Sequence, residues 1–345
     1  MPERTARRTG CYRRRVGDER ARVPAGVLTP VVRRRRRRVG PKVVLAAALL
    51  AAAGAVVVFH EWPSHRSAAA ATPPTPAPPR TTVRERSHTA PLLTGPARTA
   101  EAFSPPIAAR GAIVVDAGTG TVLWAHRPHR RLPIASTTKI MTATLALERL
   151  RAESLVEVPP SATRVPLVRE GLRPHERVLA WKLFDGLLMF SGNDDAMTLA
   201  IATAGSRRAF LAQMNERARE LGLEDSHFSS VSGVIDADNY SSAWDLAALT
   251  RVALRNPRFR EIVRTRIVHV PWSAPTYEKV YVNKNPLLGH YRGADGVKTG
   301  WTTLAGHCLV ASATRGGRTI VAVVLDDPTA PTDARRLLDL GFRTA

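Results

Sequence analysis

The chain of 345 residues contains only two cysteines, Cys11 and Cys308. Two cysteines cannot build the disulfide framework that holds together many small secreted proteins. The topology expected below also places these two residues on opposite sides of a membrane, so we expect no disulfide between them. Hydrophobic residues nevertheless make up 44% of the chain, which is enough for a packed core and excludes a wholly disordered protein.

Acidic residues are also scarce: the chain contains 29 Asp and Glu and 51 Lys and Arg, which gives a formal net charge of +22. Most of the excess lies at the start of the chain, where residues 1–42 carry a net charge of +12 and residues 43–100 carry +3. Residues 101–345 contribute only +7. A nucleic-acid-binding domain would carry its positive charge on the folded body, so we expect no nucleic-acid partner.

An apolar run of 17 residues, 43–59, follows six consecutive arginines at 33–38. That length is at the short limit for a helix that crosses a bilayer. Because positive charge stays on the cytoplasmic side, we expect a single-pass transmembrane signal-anchor, with residues 1–42 as a basic, disordered cytoplasmic segment. A cleaved signal peptide with its site at 68–71 is the alternative and would make the protein secreted. Both interpretations place the rest of the chain outside the cytoplasm.

Residues 60–104 contain few large apolar side chains and many prolines, five of them between positions 73 and 79. This composition favours extended polyproline conformations. We therefore expect a linker over 60–104 that tethers a folded domain, residues 105–345, to the membrane.

The folded part shows strand patterns at both ends and helical patterns between them. Short apolar runs separated by glycine-containing turns predict one hairpin over 113–125 and another over 307–325. Apolar residues at helical spacing predict helices over 136–150, 178–190, 194–204, 208–221 and 333–340. This order predicts an α+β fold, in which N- and C-terminal strands share one antiparallel sheet packed against a helical cluster.

Three short motifs in the body carry candidate chemistry, and the first is Ser136–Lys139 (STTK). Residues three apart on a helix share a face, so the Lys139 amine can reach the Ser136 hydroxyl. A serine is a poor nucleophile without a base, and a lysine can be that base only where burial and a nearby cation lower its pKa. Lys298 is the candidate cation. Taken alone, this motif is more typical of a serine N-cap followed by a solvent-facing lysine.

The other two motifs are Ser191–Asn193, between two predicted helices, and Lys298–Gly300, on a predicted edge strand. Ser191 could relay a proton and Asn193 could bind a substrate amide. An ordinary turn with an Asn or Asp helix cap explains the same residues equally well. Lys298 and Thr299 offer a cation and a hydroxyl to a carboxylate, and Gly300 permits close approach of another backbone, as strand addition of a peptide needs. A substrate with a free carboxyl terminus is implied.

Together the three motifs resemble those of the serine penicillin-recognising enzymes. Longer stretches of sequence around these motifs narrow the resemblance to the D-alanyl-D-alanine carboxypeptidases, the low-molecular-weight penicillin-binding proteins. The stretches that carry it are 114–120 (VVDAGTG), 134–143 (IASTTKIMTA), 240–247 (YSSAWDLA), 296–302 (GVKTGWT) and 305–313 (AGHCLVASA). The resemblance covers about residues 105–342.

This resemblance implies a β-lactamase/transpeptidase-like fold and an acyl-enzyme mechanism. The nucleophile would attack the penultimate D-alanine of a peptidoglycan stem peptide ending in D-Ala-D-Ala, β-lactams would acylate the same serine, and no metal or other cofactor would be needed. The catalytic residues implied by the resemblance are Ser136, Lys139 and Ser191. The implied substrate-binding residues are Asn193, Lys298, Thr299 and Gly300. The implied oxyanion hole consists of the backbone N–H groups of Ser136 and Trp301.

Several rival functions remain. A class A β-lactamase would add a Glu-X-X-Leu-Asn element, and none occurs between 193 and 298. A zinc D,D-peptidase is disfavoured because the ten histidines show no His-Glu-X-X-His spacing. A transpeptidase or endopeptidase on the same fold stays open, as does a sensor that β-lactams acylate without turnover.

Two features depart from the family pattern. The stretch 230–235 (SVSGVI) replaces a commoner Asn-Pro-X-Gly-Leu-like text, which leaves the local substrate contacts open. Family members often carry a carboxy-terminal β-rich domain and a membrane-binding helix, whereas here we expect anchoring through the amino-terminal segment.

Overall fold

The computed structural model describes residues 92–95, 106–234, 238–272 and 278–344. The expected basic segment 1–42, the expected transmembrane segment 43–59 and most of the expected linker 60–104 lie outside this range. Residues 92–95, which fall inside the expected linker, contact the body, because Thr94 bridges to Thr121 and Leu93 is buried. Within the described ranges, no helix is long and apolar enough to cross a membrane.

The described residues form strands and helices in mixed order. The strands are β1 (Gly111–Asp116), β2 (Val122–His126), β3 (Leu132–Pro133), β4 (Leu155–Glu157), β5 (Arg177–Leu179), β6 (Tyr240–Ser241), β7 (Ile267–Val270), β8 (Lys279–Val282), β9 (Ala294–Thr302), β10 (Gly306–Arg315) and β11 (Arg318–Leu325). The helices are α1 (Lys139–Arg149), α2 (Ala180–Asp185), α3 (Asn193–Ala204), α4 (Arg207–Glu220), α5 (Ala243–Ala253), α6 (Pro257–Arg264) and α7 (Ala330–Arg343). Short 3₁₀ turns occupy Ala135–Thr138 and Ala162–Arg164, and a π-helical turn occupies Gly186–Phe190.

The main sheet has five antiparallel strands in the order β2-β1-β11-β10-β9. Both predicted hairpins are present, as β1 with β2 and as β10 with β11. Pairing of β1 with β11 joins the two ends of the folded body in one sheet. The predicted α+β fold with a shared antiparallel sheet is therefore confirmed, and β9 lies at the sheet edge as predicted.

Both faces of this sheet are covered, as the burial of all six β1 residues indicates. Successive side chains of a strand point to opposite faces. Ile113 and Val115 belong to the core beneath the helical cluster, whereas Ala112 and Val114 pack with the buried residues of α7. The sheet is consequently a rigid platform between two apolar layers, with β9 at its margin.

The prediction of a single helix over 178–190 is wrong. Arg177–Leu179 form β5 and pair with β4, α2 follows, and the π-helical turn Gly186–Phe190 completes the segment. The partner strand β4 lies about twenty residues earlier in the chain, so the local sequence pattern of the segment does not predict the pairing. The helix predicted from residue 136 also begins later than expected, because Ala135–Thr138 form a 3₁₀ turn and α1 begins at Lys139.

Candidate active site

Ser136 lies in the 3₁₀ turn that leads into α1. The preceding residue, Ala135, has a φ of +45°, a left-handed conformation that costs a non-glycine residue about 1–3 kcal/mol. Two threonine hydroxyls hold the turn, since Thr137 donates to the Ile134 carbonyl at 2.6 Å and Thr138 donates to the Ala135 carbonyl at 2.8 Å. The half-buried Ser136 therefore sits on a backbone that its neighbours hold in one conformation.

The Lys139 amine lies directly against this serine. Its Nζ donates to Ser136 Oγ at 3.0 Å, to Asn193 Oδ1 at 2.8 Å and to the Ser232 carbonyl at 2.9 Å. The side chain is completely buried. The alternative of a solvent-facing lysine after a serine cap is therefore excluded by the structure. Two of the three motifs thus meet at one amine.

The surroundings of Lys139 disfavour its charged form. Burial is the largest cause, and the nearby ammonium groups of Lys298 and Lys284 add to it, while Asp195 and Asp194 oppose it. Together these effects hold the pKa of Lys139 well below its usual range. An amine with a lowered pKa can be neutral near physiological pH and can accept the proton of the serine hydroxyl.

The loop with Ser191 and Asn193 connects the π-helical turn to α3. Ser191 has a φ of +73°, again left-handed, and is buried. Asn193 begins α3; its Nδ2 donates to the Pro166 carbonyl at 2.9 Å, and its backbone N–H donates to the Val168 carbonyl at 2.9 Å. The Asn193 side chain thus joins Lys139 on one side to the strap of residues 165–172 on the other.

Lys298 and Thr299 lie on β9. The Lys298 side chain is buried, and its amine donates to the Thr299 carbonyl at 3.0 Å. Burial and the nearby charge of Lys284 lower the pKa of Lys298 to about 7. This cation therefore titrates close to neutral pH while no anion is bound beside it.

Gly300 brings β9 into contact with the nucleophile turn. A Cβ at this position would lie 3.0 Å from the Ile134 carbonyl oxygen and 3.0 Å from the Ser136 backbone nitrogen. We expected Gly300 to admit a substrate backbone, and the backbone that the structure places against it belongs to the chain itself. The same approach brings the Ser136 N–H next to the strand position that precedes Trp301.

A cleft of about 360 Å³ brings together predicted residues from all three motifs. Those that line it are Ser136, Ser191, Thr299, Gly300 and Trp301. The other predicted residues, Lys139, Asn193 and Lys298, are buried next to it. A larger groove of about 770 Å³ is lined by residues of α5, α6 and the turns at one end of the sheet, and none of the predicted site residues lines it.

Sequence reasoning missed two contributors to the site. Lys284, which lines the cleft, lowers the pKa values of both Lys139 and Lys298. The Ser232 carbonyl anchors the Lys139 amine, and it lies in the stretch 230–235 that departs from the family text. Across the part of the chain that the structure describes, no group of three or more His, Cys, Asp or Glu side chains is placed to hold a metal ion.

Comparison with known proteins places the chain in a family. The sequence profile of peptidase family S11, the D-alanyl-D-alanine carboxypeptidases, matches residues 98–329. This chain belongs to that family. A D-alanyl-D-alanine carboxypeptidase from Streptomyces sp. strain K15 is 34% identical over 261 residues, which cover 69% of this chain and 88% of the relative. The carboxypeptidase DacB2 of Mycobacterium tuberculosis is 35% identical over 238 residues, which cover 67% and 81%.

The fold of the S11 family is found in the structure as well. The crystal structure of the Streptomyces K15 DD-transpeptidase matches with a TM-score of 0.66 at 33% identity, covering 70% of this chain and 99% of that one. The predicted transpeptidase-like, penicillin-binding fold is therefore confirmed. The Ser136, Ser191 and Lys298 motifs lie within the part of this S11 peptidase that the family profile matches.

Proposed function

We propose that this chain is a serine D-Ala-D-Ala carboxypeptidase, which removes the terminal D-alanine of peptidoglycan stem peptides through an acyl-enzyme on Ser136. The observation that carries the proposal is the 3.0 Å contact between the buried Lys139 amine and the Ser136 hydroxyl. Membership of peptidase family S11 supports the same reaction. The reaction is hydrolysis, and the chain is a serine peptidase.

Acylation begins with proton transfer from Ser136 Oγ to the neutral Lys139 amine. The oxygen then attacks the carbonyl carbon of the penultimate D-alanine and forms a tetrahedral intermediate. The backbone N–H groups of Ser136 and Trp301 stabilise its oxyanion, and such donors typically contribute about 3 kcal/mol each. The peptide bond breaks as Ser191 passes a proton to the amine of the departing D-alanine and takes up in its place the proton held by Lys139, which leaves Lys139 neutral again. Water then attacks the ester carbonyl and regenerates Ser136.

Substrate recognition depends on the free carboxyl terminus. The Lys298 ammonium and the Thr299 hydroxyl bind the terminal carboxylate, and the Asn193 amide binds the peptide backbone. A bound carboxylate favours the charged form of Lys298 and offsets the cost of burying its charge. β-Lactams also carry a carboxylate next to a reactive carbonyl, so they acylate Ser136 and act as covalent inhibitors.

The same acyl-enzyme permits a second function, D,D-transpeptidation, in which an amine replaces water. The relevant observation is that one structural relative is described as a DD-transpeptidase. An endopeptidase would use the same chemistry on a cross-linked peptide, and a sensor would stop at the acyl-enzyme. We favour carboxypeptidase activity because the relatives described above are named carboxypeptidases.

The location of this reaction follows from the amino-terminal sequence. The apolar segment 43–59 behind the arginine run 33–38 anchors the chain in the cell membrane, with the amino terminus in the cytoplasm. Residues 60–104 form the tether, except for residues 92–95, which pack on the body, and residues 105–345 form the catalytic domain on the extracytoplasmic side. This arrangement supplies the domain with its peptidoglycan substrate.

Mass spectrometry of a pentapeptide ending in D-Ala-D-Ala tests the proposal with the full-length protein. We expect the peptide to lose one alanine, and Ser136→Ala to leave it intact. A fluorescent penicillin should label the wild type covalently and leave Ser136→Ala unlabelled. An unchanged peptide after successful labelling would indicate a sensor, and an exchange product with an added D-amino acid would indicate a transpeptidase. Labelling of Ser136→Ala would overturn the assignment of the nucleophile.

A further inference from the structure

Two buried carboxyl groups, those of Glu170 and Asp195, meet beneath the Ser191–Asn193 loop. The Asp195 side chain is completely buried, and the Glu170 side chain is 1% exposed. A Cβ placed on Gly186 would lie 2.5 Å from Glu170 Oε2 and 2.6 Å from Asp195 Oδ2, so both oxygens lie beside the same point of the π-helical turn. Because both oxygens lie beside that one point, they are at most about 5 Å apart, and each carboxyl group affects the pKa of the other.

A shared proton would account for two of the three unpaired oxygens of this pair. Glu170 Oε2 and both Asp195 oxygens are buried, and no N–H or O–H donor in the described ranges reaches them. Two carboxylates at this distance would repel each other in a site that water does not reach. One proton between them converts the pair into a carboxylic acid that donates to a carboxylate, which removes the repulsion and pairs Glu170 Oε2 with one of the Asp195 oxygens.

The partners of each group show which one carries the proton. Glu170 Oε1 accepts from the Lys279 amine at 2.8 Å and also from the Tyr281 hydroxyl. These donors stabilise a negative charge on Glu170, whereas Asp195 receives neither. The charge therefore resides on Glu170 next to Lys279, and Asp195 is the neutral acid.

We propose that Asp195 donates a buried proton to Glu170, and that this pair positions the Ser191–Asn193 loop and keeps negative charge away from Lys139. Glu170 and Asp195 are positioning residues, because they act through the loop and through Lys139. The inference rests on the proposed function only in taking Lys139 as the base for Ser136.

The connection to the loop is direct on both of its sides. A Cβ on Gly192 would overlap the Asp195 carboxyl group, so that group packs against the loop backbone. The neighbouring Asp194 carboxylate accepts the backbone N–H groups of Glu170, Gly171 and Leu172 at 2.8–3.1 Å. The strap that carries Glu170 is thus tied to the start of α3, where Asn193 contacts Lys139.

The charges around the pair are consistent with this placement of the proton. Burial raises the pKa of Asp195 well above its usual range, and Glu170 and Asp194 raise it further while Lys279 opposes them. An ionised Asp195 would raise the pKa of Lys139. The titratable groups that face Glu170, Asp195 or Lys139 from the packed elements are Asp194, Lys182, Asp185, Lys279, Tyr281, Lys284 and Lys298.

The rate of acylation by a fluorescent penicillin, measured against pH with the full-length protein, tests the inference. Asp195→Asn keeps a neutral donor to Glu170, so we expect rates within about twofold of wild type and an unchanged ascending limb. Glu170→Gln removes the negative charge that raises the pKa of Asp195 and offers an amide N–H to its carboxyl group, so Asp195 ionises beside Lys139. We expect the ascending limb to move about one unit to higher pH, with about tenfold slower acylation below it. The double variant Glu170→Gln with Asp195→Asn should restore the wild-type limb.

Infrared spectroscopy of the wild type supplies a measurement that does not depend on a variant folding. We expect the absorption of a protonated carboxyl group at neutral pH, and its loss in Asp195→Asn. If wild type lacks that band, or if Glu170→Gln acylates with the wild-type pH limb, the inference is overturned. A wild type that penicillin does not label at any pH would instead contradict the proposed function.

Discussion

Two buried amines, those of Lys139 and Lys298, must be in different protonation states at the same pH for the proposed mechanism to work. Lys139 has to be neutral to take the serine proton, and Lys298 has to be charged to bind a carboxylate. Burial lowers both pKa values, and mutual repulsion together with Lys284 lowers that of Lys139 further. Binding of the substrate carboxylate makes the pKa values of the two amines differ, because the carboxylate favours the charged form of Lys298 beside it.

The pH dependence of kcat/KM should therefore be bell-shaped for a substrate with a free carboxyl terminus. Activity rises with pH as Lys139 loses its proton, because only the neutral amine is a base. Activity falls again above the Lys298 pKa of about 7, because the free enzyme then loses the cation that attracts the carboxylate. A substrate with an amidated terminus should show the ascending limb only. Equal descending limbs for the two substrates would contradict this role of Lys298.

Removal of the Lys298 cation should affect the two substrates differently. A hydrogen bond to a charged group contributes about 1.5–3 kcal/mol, so Lys298→Ala should lower kcat/KM for the free acid by roughly 10- to 100-fold. The amidated peptide should lose much less. The control is Arg255→Ala, which removes an exposed cation beside the larger groove. Steady-state kinetics with both peptides measure the difference, and equal losses would show that Lys298 acts mainly through the chemistry of Ser136.

Sequence spacing could predict the meeting of Ser136 and Lys139 but not the rest of their surroundings. Positions three apart on a helix share a face, and the 3.0 Å distance agrees with that expectation. The contact with Ser232 is made by its backbone carbonyl, which the identity of the side chain does not reveal. Lys284 comes near the site only through the tertiary fold. The roles assigned to the predicted site residues stay predictions until the kinetic tests are made.

At the scale of elements, the site depends on the contact between β9 and the 3₁₀ turn. Gly300→Ala would place a methyl group 3.0 Å from the Ser136 backbone nitrogen and the Ile134 carbonyl, which forces a shift of a few tenths of an ångström. Overpacking of this kind typically costs 1–3 kcal/mol of folding free energy. Displacement of the Ser136 N–H should also slow penicillin acylation by at least tenfold.

Stopped-flow acylation and denaturant unfolding together distinguish the two effects of this change. The control is Gly118→Ala in the turn between β1 and β2, where the added methyl group would lie 3.3 Å from the Asp116 carboxylate. We expect the control to acylate at the wild-type rate. Unchanged acylation in Gly300→Ala would show that the oxyanion position does not depend on this contact.

Elements with a complete local pattern were predictable, and elements with remote partners were not. The two hairpins of the main sheet follow from apolar runs around short turns, and both are present. In the segment 178–190, apolar residues at helical spacing predict one helix. The start of that segment instead pairs with β4, and its end widens into a π-helical turn against two buried carboxyl groups. Neither partner can be identified from the segment itself.

For the whole molecule, the uneven charge distribution agrees with the proposed division into an anchoring part and a catalytic part. Residues 1–42 carry a net charge of +12, whereas residues 101–345 carry only +7 over nearly six times the length. Positive charge concentrated before an apolar run determines membrane orientation, and none of the proposed site residues lies in that part of the chain. The anchoring proposal can therefore be tested independently of the catalytic site.

Two arginines in the apolar run should prevent export without abolishing the chemistry. Each arginine at the centre of a spanning helix costs about 2.5–3.5 kcal/mol for insertion, so we expect Leu50→Arg with Ala52→Arg to remain in the cytoplasm. A membrane-impermeant fluorescent penicillin should then label wild-type cells but not cells with this variant, whereas lysates of both should be labelled. The control, Leu50→Ile with Ala52→Leu, keeps the run apolar and should behave as wild type. Wild-type protein released into the medium, with a new amino terminus after Ala71, would show that the segment is a cleaved signal peptide.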